Sequence, residues 1–310
     1  MEKIKLFTHS DLDGIGCAIL AKIAFGNDVD ITFCNYDNID KSVREFLETN
    51  PSTRCYITDI SVRRELANEI NSNKDNEIIL IDHHPTALHL NDFDWCFIHI
   101  FEDEERNLKT CGTMLFYQYL VYYGYIERAE TLDRFCEIVR NWDTWRWDTM
   151  GEEGLISKKI NSLVWLYGRN KFMEWAIDQI ESETFPYLDS TSITLLDYNQ
   201  KSIDNYILEK DSQMTLHHVA GKICGVVFIE RYSSEVGNTL CKLHPDIDFV
   251  AMINMGRNKI EYRTIKDDIN LGKDVAALFG GGGHPKAAGS QFSSDINDEI
   301  IFKLFEKPVE

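Results

Sequence analysis

Short apolar runs alternate with amphipathic stretches through the first half of the chain. Residues 5–9, 30–36, 54–60, 77–82 and 95–101 are rich in Ile, Phe, Val and Tyr and break off at polar residues, which predicts strands. Residues 14–25, 40–48 and 62–71 lie between them and carry apolar residues at helical spacing. Alternating βαβ units predict an α/β fold with a mainly parallel sheet and helices on both faces. Ligands of such sheets bind beyond the C-terminal ends of the strands, so chemistry is expected there. From residue 111 to about 182 the pattern is mostly helical. Pro186 and the polar stretch 189–194 interrupt it, and a helical segment over 193–209 follows. A second alternation starts at residue 216, with strands expected at 223–230, 249–255 and 259–265 and a helix at 235–243. The expected organisation is a first domain over 1–187, a helical linker over 188–213, and a smaller α/β domain over 214–310.

Composition narrows the class. The chain has 310 residues, 44% hydrophobic and 27% charged, as soluble globular chains do. Asp and Glu outnumber Lys and Arg by 51 to 32, a formal net charge of −19. That balance argues against wrapping long duplex DNA, which needs cationic side chains to displace counterions, and against an anionic membrane surface. No apolar run approaches a membrane span, and the N-terminus has no signal-peptide pattern, so a cytoplasmic location is expected. The cysteines at 17, 34, 55, 96, 111, 136, 224 and 241 form no CxxC pair and read as small buried residues in a reducing compartment.

Chemistry-bearing residues collect at the predicted strand ends. His9, Asp11 and Asp13 close the first strand, and residues two apart share one side while the chain stays extended. They suit a divalent cation or a turn with helix-capping carboxylates. Asp82-His83-His84-Pro85 closes a very apolar strand, and Asp59 closes the strand between. Asp143 lies among Trp142, Trp145 and Trp147, which suit either base stacking or core packing. A carboxylate-rich set with a few imidazoles and no thiolate suits Mn²⁺ or Mg²⁺.

These motifs resemble the metal-binding motifs of the DHH phosphoesterase superfamily: His9-x-Asp11-x-Asp13-Gly14, Asp59, Asp82-His83-His84 and Asp143. Gly280-Gly281-Gly282-Gly283-His284-Pro285-Lys286-Ala287-Ala288-Gly289 is similar to the GGGHxxAAG signature of the DHHA1 domain. Glu261-Tyr262-Arg263-Thr264 places Arg263 where the family carries a substrate-binding arginine, although the usual Ser-x-Arg-Ser is altered around it. The likeness covers nearly the whole chain and is greatest to the two-domain nanoRNase type.

The resemblance implies a DHH domain joined by the helical connector to a DHHA1 domain, with the active site in the cleft between them. It implies two divalent metals, Mn²⁺ foremost, with Mg²⁺ or Co²⁺ as substitutes. His9, Asp11 and Asp59 would hold one ion, and Asp13, Asp59, His83 and Asp143 the other. Asp82, His84, Arg263 and His284 would be catalytic. Arg263, Gly281, Gly282, Gly283, His284, Lys286, Thr113 and Asn238 would bind substrate, the glycines through a phosphate-cradling loop. The implied reaction is hydrolysis of short RNA or DNA oligonucleotides or dinucleotides to nucleoside 5′-monophosphates, with room for a homodimer. Phosphatase action on 3′-phosphoadenosine 5′-phosphate and cleavage of linear or cyclic dinucleotides are the alternatives. A non-catalytic nucleic-acid-binding protein on the same fold is a third reading, against which every expected ligand is present.

Overall fold

The computed structural model describes residues 3–50, 53–72 and 77–306. Two compact units divide the chain, Met1–Leu196 and Asp197–Glu310.

The first unit is built on a sheet of β1 (Ile4–His9), β2 (Val29–Cys34), β3 (Arg54–Thr58), β4 (Ile78–Asp82) and β5 (Cys96–Ile98). Its order is β2-β1-β3-β4-β5, and every pairing is parallel. Side chains alternate across the strands and supply two separate cores. Leu6, Tyr56 and Ile81 face one, and Phe7, Ile57 and Leu80 face the other. The first core is closed by α1 (Leu12–Phe25) and by α4 (Gly112–Tyr122), α5 (Glu130–Asp143), α6 (Glu152–Tyr167) and α7 (Arg169–Glu181). The second is closed by α2 (Ile39–Thr49), α3 (Arg64–Ser72) and a turn of 3-10 helix at Pro85–Asp92. Burial on both faces is why these strands read as nearly continuous apolar runs. A small hairpin, β6 (Phe101–Asp103) and β7 (Leu108–Lys109), leads into α4.

The second unit carries a mixed sheet of β8 (Thr215–Val219), β9 (Lys222–Phe228), β10 (Phe249–Asn254), β11 (Lys259–Arg263), β12 (Gly282–Gly283) and β13 (Ala287–Gln291). Its order is β12-β13-β11-β10-β9-β8, and β9 and β10 are parallel. Alternation again makes two cores: Val250 and Met252 pack with α9 (Ser233–Leu243), while Phe249 and Ala251 pack towards the short α10 (Leu271–Asp274). Helix α11 (Asp295–Phe305) follows.

The segment expected as a helical linker over 188–213 is one helix, α8 (Ser190–Gln213), and the unit boundary falls inside it. Leu196 packs in the first unit's core, whereas Ile203, Tyr206 and Ile207 pack in the second's, so the helix is spent on both cores. Helix α1 starts at Leu12, two residues earlier than expected, because the Asp11 carboxylate caps it by accepting from the Gly14 amide at 3.1 Å. The glycine run is a hairpin: Gly282 and Gly283 pair with Gly289 and Ala288. All eight cysteines are free and buried, as expected.

Leu6 is fully buried on β1, between β2 and β3. Leu6→Ala should lower unfolding stability by about 2–5 kcal/mol in urea denaturation. A loss well under 1 kcal/mol would contradict the placement of β1 inside the sheet.

Candidate metal centre

In a parallel sheet of order 2-1-3-4-5, the chain leaves β1 and β3 in opposite directions, and a crevice opens beyond their C-terminal ends. The first unit places His9 at the end of β1, Asp11 and Asp13 in the turn into α1, and Asp59 just past β3. Asp82 ends β4, with His83 and His84 after it, and Asp143 ends α5.

Asp13 is 1% exposed and sits in the first turn of α1. Its Oδ2 accepts from the Gly112 amide at 2.6 Å and its Oδ1 from the Thr113 amide at 2.8 Å. The Thr113 hydroxyl donates to the Asp13 carbonyl at 2.6 Å. These amides belong to the first turn of α4, where helix N–H groups have no partner of their own and the dipole favours an anion. Asp59 is 1% exposed and holds a left-handed backbone, φ 57°. Non-glycine residues adopt that conformation at a cost, and at a functional site such strain aims a side chain. Gly112 permits the arrangement: a Cβ there would stand 2.6 Å from the Asp59 Cβ.

The imidazoles point into this carboxylate group. His9 Nδ1 lies 2.8 Å from Asp11 Oδ2 and 3.9 Å from Asp59 Oδ2. His83 Nε2 lies 3.3 Å from Asp59 Oδ1, 3.5 Å from Asp13 Oδ2 and 3.6 Å from Asp143 Oδ2. His84 Nδ1 meets Asp82 Oδ1 at 2.7 Å, and its Nε2 lies 3.2 Å from the Tyr36 hydroxyl. Asp82 Oδ2 accepts from Ser61 Oγ at 2.5 Å.

Protonation follows from these surroundings. Burial, reinforced by the charges of Asp13 and Asp11, pushes the Asp59 and Asp143 carboxyls well above the usual range. Burial lowers His83, which keeps a neutral nitrogen. Burial works to lower His84 as well, but the Asp82 bond and charge outweigh it and raise it to about 9. Burial and the charges of Asp59 and Asp82 push the Tyr36 phenol up, so it stays a hydroxyl.

Divalent cations fit this donor set. His83 Nε2 and Asp59 Oδ2 are buried with no hydrogen-bond partner, a costly state that a coordinated cation relieves. Ligand atoms of His9, Asp11 and Asp59 lie within 4.8 Å of one another, and so do those of Asp13, His83 and Asp143. Asp59 adjoins both groups, since its Oδ1 is the carboxylate oxygen at 3.3 Å from His83.

In the second unit, Arg263 ends β11, with Nη2 donating to Ser234 Oγ at 3.1 Å and Nη1 to the Tyr262 carbonyl at 3.0 Å. A Cβ at Gly237 would stand 2.6 Å from the Arg263 Cγ, so that glycine makes room for the stem. Asn238 follows on α9 and is half-buried. His284 is exposed beside the glycine hairpin, and Lys286 Nζ pairs with Asp267 Oδ1 at 2.8 Å.

No protein-family model matches the chain. It is 34% identical over 306 residues to oligoribonuclease NrnB of Bacillus subtilis (strain 168), an alignment covering 97% of this chain and 75% of that protein. The chain belongs to the NrnB family of DHH/DHHA1 phosphoesterases. Solved structures share its fold. Exonuclease RecJ bound to manganese superposes with a TM-score of 0.60 at 14% identity, covering 98% of this chain and 89% of that one. A pGpG-specific phosphodiesterase from Vibrio cholerae superposes with a TM-score of 0.55 at 16% identity, covering 97% of each chain. The NrnB-family chain is thus a metal-dependent phosphoesterase.

Within this NrnB-family chain, several expected substrate contacts have other partners. Thr113 is fully buried and holds Asp13 through its amide and hydroxyl, so it supports the centre rather than substrate. Asp82 is 1% exposed, and both its oxygens are taken, by His84 and Ser61, so it orients His84 rather than facing substrate. The Gly281 amide donates to the Ala276 carbonyl at 2.9 Å and is not free to cradle a phosphate. His9, Asp11 and Asp13 converge through a strand-to-helix turn, not through extended alternation. Trp142 and Trp147 stack on each other with centroids 5.4 Å apart. Sequence reasoning missed Gly112, Ser61, Ser234 and Tyr36. Gly112 adjoins the Thr113 it did single out, and Tyr36, expected as the last residue of a strand over 30–36, stands in the loop after β2, which ends at Cys34.

Gly112→Ala should displace Asp59 or the start of α4. Divalent-metal affinity measured by calorimetry is expected to fall about 10- to 100-fold, the range for groups that orient metal ligands. Unchanged affinity would mean that the close approach of Gly112 does not shape the centre.

Proposed function

We propose that this chain is a two-metal phosphodiesterase that hydrolyses short oligonucleotides to nucleoside 5′-monophosphates, with Mn²⁺ as its preferred ion. One observation carries the reading. His83 Nε2 lies within 3.6 Å of three carboxylates, on Asp13, Asp59 and Asp143, close enough for these groups to share a cation. His9, Asp11 and Asp59 would hold one ion, and Asp13, Asp59, His83 and Asp143 the other. The metal pair supplies Lewis acidity, which activates water and neutralises charge on the phosphoryl oxygens.

The protein side chains do the rest. Asp82 fixes the ring plane of His84 through the 2.7 Å bond to Nδ1, and the Nε2 edge, which meets the Tyr36 hydroxyl, would face the substrate phosphate. Arg263 would grip a phosphate oxygen in exchange for its contact with Ser234, because guanidinium binds phosphate in a planar fork. Asn238 and His284 would add hydrogen bonds, and Lys286 a charge. The Gly282 and Gly283 segment would bring backbone close to substrate. The segment 253–290 has six Lys or Arg against four Asp or Glu, in a chain of net charge −19. That suits a few phosphates rather than a long polymer. NrnB of Bacillus subtilis is named an oligoribonuclease, which supports the same substrate class here. Among the described residues no helix is long and apolar enough to cross a membrane. A cytoplasmic site of action fits the free cysteines.

Purified protein with Mn²⁺ should degrade RNA dinucleotides and short oligomers faster than long RNA, 3′-phosphoadenosine 5′-phosphate or cyclic dinucleotides. Asp59→Asn should cut this activity more than about 100-fold, beyond what loss of an orienting group costs, with the circular-dichroism spectrum unchanged. Full activity in Asp59→Asn would sink the metal assignment, and a preference for cyclic dinucleotides would sink the substrate assignment.

A further inference from the structure

Tyr36 lies in the loop between β2 and α2. The loop is held in place: Ser10 Oγ donates to Asn35 Oδ1 at 3.1 Å, and the Asn35 amide donates to Asn38 Oδ1 at 2.8 Å. The Tyr36 hydroxyl is tied to His84 Nε2 at 3.2 Å. Its ring stands edge-on to the His84 ring at 6.1 Å and tilted against the His9 ring at 5.4 Å. The aromatic is thus held between the histidines that follow β1 and β4. Even so, 55% of the residue is exposed, and it belongs to neither core of its unit.

Packing does not explain a fixed aromatic with an open face at the rim of a phosphoesterase centre. A phosphodiester is flanked by planar bases, and an aromatic side chain stacks on any of them because every base has a π-face. Trp145 is the other exposed aromatic near the centre, at 44%, but its ring sits against Trp142 and Trp147. The ring contacts of Tyr36 among the described residues are instead with His9 and His84 of the centre.

We propose that Tyr36 is a specificity-determining residue whose open face stacks on a nucleobase of the oligonucleotide while the scissile phosphate sits at the metal centre. The inference rests on the phosphodiesterase reading above. The bond to His84 and the contact with His9 fix the ring beforehand, so little rotamer freedom is lost on binding. One stacking face reads the presence of a base, not its identity. The enzyme should therefore accept any short sequence and discriminate against phosphate esters that lack a base beside the scissile bond.

The test compares wild type, Tyr36→Phe and Tyr36→Leu on an RNA dinucleotide and on its two analogues in which one or the other nucleoside is replaced by an abasic ribose. Tyr36→Leu should raise KM for the dinucleotide roughly 5- to 150-fold, the ratio that loss of one base–aromatic stack produces. It should leave KM nearly unchanged for one of the abasic analogues, the one lacking the stacked base. Tyr36→Phe should stay within a few-fold of wild type. An equal loss on all three substrates would overturn the proposal and make Tyr36 a support for His84. An unchanged KM would also overturn it. Calorimetric binding of the same substrates with Ca²⁺ in place of Mn²⁺ repeats the comparison without turnover. It decides the role of Tyr36 even where wild type hydrolyses none of them, an outcome that would count against the phosphodiesterase reading alone.

Discussion

A buried carboxylate needs partners, and Asp13 finds them in the backbone amides that open α4, about one hundred residues further along the chain. Much of the first unit depends on this grip. It fixes α1 against α4, and it orders the segment that places Gly112 against Asp59. It also leaves Asp13 Oδ2 at 3.5 Å from His83 Nε2, so the same oxygen that closes the fold takes part in the centre. Helix-end amides and cations compete for similar charge, and here both act on one carboxylate. The cost of gathering Asp11, Asp13, Asp59, Asp82 and Asp143 is visible in the raised carboxyls of Asp59 and Asp143.

That cost changes the meaning of the chain's acidity. A net charge of −19 repels a polyanion at long range. Five of the acidic side chains behind that sum stand at one centre, where two divalent cations would offset most of their charge. An anionic substrate is compatible with this chain when its phosphate is met by cations rather than by a basic track. Membership in the NrnB family and a fold shared with RecJ follow the same logic: the sheet is common, and the strand-end residues carry the chemistry.

The parallel sheet and the strand-end clusters were legible because both leave one-dimensional signals. Strands buried on two faces are apolar throughout, so His9, Asp59 and Asp82-His83-His84 stand out as abrupt polar endings. What sequence spacing could not carry was the pairing of remote groups. The Asp13–Thr113 contact spans one hundred positions, and the capping of α1 by Asp11 overrode the extended alternation expected there. The glycine run masked a two-residue strand because glycine has no side chain to alternate. Helix α8 read as a helical connector, and its apolar residues serve two cores at different points along its length. Tyr36 read as the end of a strand, since an aromatic just past Cys34 extends the apolar run beyond the true stop of β2.

The central claim is that the convergent carboxylates and imidazoles of the first unit form a centre for two cations. Equilibrium dialysis of the purified chain against Mn²⁺, followed by elemental analysis, counts them directly. The account predicts two tightly held Mn²⁺ per chain in wild type and a loss of at least one in Asp13→Asn. A wild-type protein that retains no Mn²⁺ after dialysis, or an Asp13→Asn variant that retains both ions, would contradict it.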